Sequence, residues 1–299
     1  MAFLWFLSEH RTPVLDNIMQ LVTYFGQEII IIALICALYW CADKRFAYLL
    51  GFTYFTAGLC VQTLKITFRI PRPWILDPGF SAVESAVPAA TGYSFPSGHT
   101  QGATALYFPL ALKAKKIWLK SLSVFLFLAV GFSRMYLGCH TPKDVLASLA
   151  LSIIVSLVIW RSQSFLLDGT RHLKQIAAIL AAISLAVAAY ALALKNAGVI
   201  EARYALDCCR AAGAGLGFAA GWYLERTKLK FDTRAERPFH QILKLLTGLA
   251  LTFAIKTGFT LVFGNSVLAK MAEYFILVLW VLAIYPYLFT RIANRKTDE

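Results

Sequence analysis

Apolar stretches long enough to cross a membrane, separated by short polar loops, recur along nearly the whole chain. Spans are expected at about 27–42, 46–66, 98–114, 118–137, 143–161, 173–195, 205–224, 239–263 and 267–290. Residues 12–25 follow a different pattern. Val14, Leu15, Ile18, Met19, Val22 and Phe25 share one helical face, with Asp16, Asn17, Gln20 and Thr23 on the other. That amphipathicity predicts an interfacial helix rather than a span. There is no strand-like alternation, repeat period or low-complexity tract. The predicted fold is all-α, a polytopic membrane helix bundle of about nine transmembrane helices plus the N-terminal interfacial helix.

Composition agrees with the pattern. Of 299 residues, 59% are hydrophobic and only 15% charged, where soluble domains run nearer a quarter charged. Spans of this density leave no room for a sizeable soluble domain. No signal peptide is expected, because Met1–Leu7 lacks a basic start and Glu9-His10-Arg11 follows directly. The net charge of +13 does not imply a nucleic-acid partner, since the cations cluster in loops. Lys44-Arg45, the Lys113/Lys115/Lys116/Lys120 group, Arg161 with Arg171 and Lys174, the Arg226–Arg237 segment and Arg295-Lys296 fall on one side if nine spans hold. The positive-inside rule makes that side cytoplasmic, which puts the N-terminus outside or in a lumen. The six cysteines show no metal-ligand spacing, and adjacent Cys208-Cys209 do not suggest a disulfide framework.

Candidate chemistry lies in three strings: Lys65-x6-Arg72-Pro73, Pro96-Ser97-Gly98-His99, and Ser133-Arg134-x5-His140-x3-Asp144. Lys65 ends the second span, His99 opens the third, Arg134 closes the fourth, and His140 with Asp144 opens the fifth. Up-down connectivity therefore carries all of them to one membrane face. Lys65 and Arg72 read either as snorkelling anchors or as neutralisers of phosphate oxygens. Arg134, after a long apolar run, is a charge that a membrane protein keeps for use. Ser97-Gly98 caps a helix start and also aims backbone N–H groups at an anion. With Thr141 as N-cap and Pro142 at the first helical position, Asp144 suits a capping box. Four residues after His140, it also suits a carboxylate that orients the ring. Residues 74–97, the longest non-helical piece, read as a lid or as a connector.

All three strings in this order resemble the signature of the type 2 phosphatidic acid phosphatase superfamily, which includes glucose-6-phosphatases and vanadium haloperoxidases. Every position of that signature is filled, and the resemblance covers about residues 46–161. It implies metal-independent phosphoryl transfer with no cofactor. His140 would be the nucleophile oriented by Asp144, and His99 the acid and then the base. Lys65, Arg72, Ser97, Gly98 and Arg134 would bind the substrate phosphate. The division of labour between the histidines comes from the resemblance alone.

Residues 1–200 are expected to form the phosphatase core bundle with the active site, and 201–299 a C-terminal three-helix membrane extension. Arg203, Asp207, Arg210 and Lys256 are charges within that extension, read either as an ion-pair network or as a second polar surface for a head group. The expected function is hydrolysis of a lipid phosphate monoester or diphosphate by a multi-pass cell-membrane enzyme. Its partners are membrane lipids and the phosphorylated substrate, and its site faces outside, the periplasm or a lumen. A soluble sugar phosphate is the alternative substrate. A lipid transporter or scaffold is the rival class.

Overall fold

Helices joined by short turns make up the computed structural model, which describes residues 1–234 and 238–295 and contains no strand among them. Arg237 and Lys296, counted above in the loop charges, lie outside the described residues. The N-terminal helices are α1 (Ala2–Glu9), α2 (Pro13–Tyr24), α3 (Glu28–Cys41), α4 (Lys44–Phe68) and the short α5 (Pro73–Leu76). After a loop come α6 (Gly98–Lys113), α7 (Ile117–Tyr136), α8 (Pro142–Arg161), α9 (Leu173–Asn196) and α10 (Ala202–Leu224). The chain ends with α11 (Pro238–Phe263), α12 (Val267–Leu279) and α13 (Tyr285–Arg295).

Six segments among the described residues are long and apolar enough to cross a membrane: 44–76, 117–136, 142–161, 173–196, 238–263 and 267–291. The protein is thus an all-helical multi-pass membrane protein. Three of the nine expected spans fall short of that test, each for a physical reason. α3 has 14 residues, or roughly 21 Å of rise, against a hydrocarbon core of roughly 30 Å. α6 has 16 residues and opens on the polar stretch Gly98-His99-Thr100-Gln101. α10 starts with Arg203, Asp207 and Arg210 in its first turns. α2 and α3 pass the length and apolarity test only together, bent by 40°.

Two compact units form, residues 1–32 with 56–160 and residues 33–55 with 161–299. In the first, α6 is the central helix and α7 packs along it, with α1 and α2 against α7. α2 turns part of its polar face inward, with Asn17 left exposed. Gln20 and Thr23 are buried, while Val14, Leu15, Ile18 and Leu21 face out. In lipid that polarity is the stable one, because hydroxyl and amide groups find partners only inside the protein. α1 and the turn after it clasp the long loop: Trp5 Nε1 donates to Asp77 Oδ2 at 2.9 Å, and Arg11 Nη1 donates to the Ser81 carbonyl at 2.7 Å.

The second unit is built on close helix contact. Gly213, Gly217 and Gly221 form a ridge at four-residue spacing on α10, against Met271, Phe275 and Leu282. A Cβ at Gly217 would stand only 2.5 Å from the Phe275 carbonyl oxygen, so small residues let the backbones meet. The charges expected here are largely paired. Arg203 meets Glu201 at 2.9 Å, and Arg210 meets Asp207 at 3.1 Å. Lys256 lies 5.6 Å from the Tyr274 ring centre. A further pair was not foreseen: Lys270 Nζ sits 2.7 Å from Glu273 Oε2, with both side chains buried and the Thr260 hydroxyl donating to the same oxygen.

Candidate active site

Four helix ends of the first unit carry the three strings. Lys65 lies in the last turn of α4, and its buried ammonium donates to the Tyr93 carbonyl. Arg72 precedes Pro73 and caps α5 in extended conformation. Its Nε donates to the Gly92 carbonyl at 2.8 Å, and its Nη1 to the Cys139 carbonyl at 3.0 Å. These bonds tie the long loop back across the site. The loop is held again where the Ser94 N–H meets the Ile70 carbonyl at 2.8 Å.

Ser97 is the N-cap of α6 as expected; its Oγ accepts from the Thr100 hydroxyl at 2.9 Å. Its carbonyl accepts from Ser148 Oγ at 2.8 Å, and its N–H reaches the Asp144 carbonyl at 3.2 Å, so the starts of α6 and α8 are stitched together. Over Gly98 an added Cβ would meet nothing within 4 Å. The space above this helix start is therefore open, and its first N–H groups have no intrahelical acceptor. His99, one residue on, has a buried Nε2 with no partner among the described residues.

Arg134 is wholly buried near the end of α7. Its Nη1 donates to Thr23 Oγ1 at 3.1 Å, while Nε and Nη2 have no partner among the described residues. A buried guanidinium with two idle donor nitrogens is costly unless an anion completes it. His140 follows in the α7–α8 turn, its N–H and that of Cys139 both directed at the Arg134 carbonyl.

The His140 ring is flanked on both nitrogens. Arg72 Nη1 lies 2.9 Å from Nε2. Arginine can only donate, so Nε2 is the acceptor and the ring proton of neutral His140 is on Nδ1. Nδ1 faces Asp144 Oδ2 at 3.7 Å, close enough for attraction but too long for the hydrogen bond that the four-residue spacing suggested. Asp144 Oδ2 is occupied otherwise, accepting from the Thr141 N–H at 2.7 Å and from Ser94 Oγ at 2.6 Å. The capping contact is therefore present. Burial first, then the charges of Arg72, Lys65 and Arg134, hold the His140 imidazole well below its ordinary range and keep it neutral.

All eight candidate residues thus belong to one unit at neighbouring helix ends. Lys143, beside the cap, is exposed. Thr23 and Ser94 and the carbonyls of Gly92 and Tyr93 complete the setting and were not foreseen. Thr23 carried a signal, a hydroxyl on the polar stripe of α2; Ser94 carried none.

Residues 46–168 match the PAP2 superfamily, and residues 209–297 match the PAP2 superfamily phosphatase transmembrane extension. Undecaprenyl-diphosphatase BcrC of Bacillus subtilis is 34% identical over 163 residues, which cover 52% of this chain and 79% of that protein. Phosphatidylglycerophosphatase B of the same organism is 27% identical over 157 residues, 48% of this chain and 73% of its own. Dihydrosphingosine 1-phosphate phosphatase YSR3 of Saccharomyces cerevisiae is 25% identical over 51% of this chain, which spans only 40% of it. Among solved structures, Aquifex aeolicus LpxE is similar with a TM-score of 0.45 and 22% identity, over 53% of this chain and 92% of that one.

The helical membrane fold, the family match and the two Bacillus subtilis relatives define a membrane lipid phosphatase, an enzyme that hydrolyses phosphate esters. The chain belongs to the PAP2 superfamily, and its C-terminal third is the transmembrane extension.

Proposed function

We propose that the protein hydrolyses a lipid phosphate monoester or diphosphate through a phosphohistidine on His140. One observation carries this reading. Three buried nitrogens, Arg134 Nε, Arg134 Nη2 and His99 Nε2, have no partner among the described residues, and His99 adjoins the open start of α6. A phosphate group supplies the missing acceptors.

In the proposed reaction His140 Nε2 attacks phosphorus while the bond to the leaving oxygen breaks. His99 gives that oxygen its proton. Arg72, which holds Nε2 in the resting site, shifts its donors onto a phosphate oxygen. Lys65, Arg134, Ser97 and the Gly98 N–H share the remaining negative charge. Asp144 stabilises the positive ring that forms, through the Nδ1–H that faces it. Water then attacks phosphorus, His99 takes its proton, and the P–N bond breaks to free His140.

The same reading takes residues 1–200 as the catalytic core and 201–299 as an added three-helix membrane extension, supported by separate family matches on either side of residue 200. It keeps nine spans, so that the loop cations around Lys113–Lys120 face the cytoplasm and the site faces the other way. A polyprenyl diphosphate is the first substrate to test, because the relative matched over 79% of its length is named an undecaprenyl-diphosphatase.

The experiment is phosphate release by the detergent-solubilised chain with EDTA present. Farnesyl diphosphate, phosphatidylglycerol phosphate, sphingosine-1-phosphate and glucose-6-phosphate form the panel, with His140→Ala as control. Release that survives EDTA and disappears in the variant, together with an acid-labile phosphoenzyme on brief exposure to labelled substrate, is expected. Equal release by His140→Ala would remove the proposed nucleophile. Preference for glucose-6-phosphate would replace the lipid substrate with a sugar.

A further inference from the structure

Thr23 stands outside the matched family region, which begins at residue 46. Its place in the molecule nevertheless puts it against the site. It is wholly buried on α2, and its hydroxyl oxygen is the partner of Arg134 Nη1 at 3.1 Å. A guanidinium presents Nε and Nη2 along one edge, the edge that grips an oxyanion with two parallel bonds. Those are the two nitrogens of Arg134 left without partners. Holding Nη1 from the far side fixes the rotation of the plane and leaves that edge for the ligand.

The approach of α2 is built rather than incidental. One turn after Thr23, a Cβ on Gly26 would lie 2.6 Å from Val130 Cγ1 and 2.8 Å from the His99 carbonyl oxygen. Only glycine lets the end of α2 close onto α6 and α7 there. Tyr107 of α6 adds a hydroxyl bond to the Phe25 carbonyl at 3.3 Å. One turn before Thr23, the Gln20 side-chain oxygen accepts from Ser85 in the long loop at 3.3 Å. The inward polar stripe of α2 therefore meets the arginine and the loop with successive side chains.

We infer that Thr23 is a positioning residue for phosphoryl transfer, orienting Arg134 so that its Nε–Nη2 edge meets the substrate phosphate. The inference rests on the reading of Arg134 as a phosphate ligand. It makes the N-terminal helix, which carries none of the family strings, a working wall of the site.

The test compares Thr23→Val, Thr23→Ser, Arg134→Ala, Arg134→Lys and the double variant Thr23→Val/Arg134→Lys. Each variant of the 299-residue chain is assayed in mixed micelles with farnesyl diphosphate, with orthovanadate as a mimic of the transferring phosphoryl group, and by thermal melting. Thr23→Val keeps the shape and removes the hydroxyl. It should weaken vanadate inhibition and lower kcat/KM per folded molecule by about tenfold, a loss beyond what any fall in melting temperature explains. Thr23→Ser should restore both. In the Arg134→Lys background Thr23→Val should add nothing, since the two residues act as one unit. Wild-type vanadate sensitivity and turnover in Thr23→Val would overturn the inference. So would losses that multiply with Arg134→Lys, or losses that only follow a lowered melting temperature. Full turnover by Arg134→Ala would instead overturn the phosphate-ligand reading beneath it.

Discussion

Arg72 holds His140 by its reactive nitrogen, with the guanidinium Nη1 2.9 Å from the imidazole Nε2. The contact has two consequences. It places the ring proton on Nδ1, toward Asp144, and it sets a permanent positive charge beside the ring. Both favour a neutral imidazole whose Nε2 lone pair is ready to attack once Arg72 turns to a phosphate oxygen.

A pH profile follows from this. Neutral His140 is the reactive form, so kcat/KM falls as pH drops through its pKa. Because that pKa lies well below the ordinary 6.5, activity should persist at pH values below 6.5. In Arg72→Gln one depressing charge is gone and the acidic limb should move upward toward 6.5, with kcat/KM at neutral pH reduced about a hundredfold. The profiles of the two proteins, measured side by side, check this. An acidic limb at the same pH in both would sever the link between Arg72 and His140.

Ser94 should matter through Asp144. Its hydroxyl donates to Asp144 Oδ2 at 2.6 Å, the oxygen that faces His140. Ser94→Ala frees that carboxylate to rotate, which should cost about tenfold in kcat/KM, or roughly 1.4 kcal/mol. KM should change little, because Ser94 is not among the proposed phosphate ligands. Asp144→Asn should be slower still and also less stable, since the same oxygen caps α8 through the Thr141 N–H at 2.7 Å. Steady-state kinetics with thermal melting separate the two effects. A loss in Ser94→Ala that appears wholly in KM would contradict this role.

Legibility in the sequence tracked how local the cause was. That the eight candidate residues gather at neighbouring helix ends could be read because each sits in a short string at a helix end, where caps and apolar run lengths are local properties. The Thr141–Asp144 contact was anticipated for the same reason. The loop bonds to Lys65 and Arg72 were not, because main-chain carbonyls at Gly92 and Tyr93 leave no mark in side-chain identity.

Within the extension, the Lys270–Glu273 pair should serve stability rather than turnover. Both side chains are buried, so Glu273→Ala strands an ammonium and should destabilise by about 3–5 kcal/mol. Replacing both, as Lys270→Met with Glu273→Leu, should recover most of that loss. Melting in detergent, with phosphate release per folded molecule held constant, is the expected pattern. Turnover lost in the double variant at full stability would instead place this pair in substrate handling.

The membrane class, the helical architecture and the choice of candidate chemical groups came from the sequence itself. Hydropathy over about 20 residues and the residue types of three strings are enough to state them. Only the tertiary structure decided which way α2 faces and what its polar stripe is for. An amphipathic stripe is equally compatible with water outside and with buried partners inside, and the choice depends on what lies opposite. Here Arg134 lies opposite Thr23 from 111 residues away in the chain. The packing of α2 against α7, made possible by the missing Cβ of Gly26, turns that separation into contact.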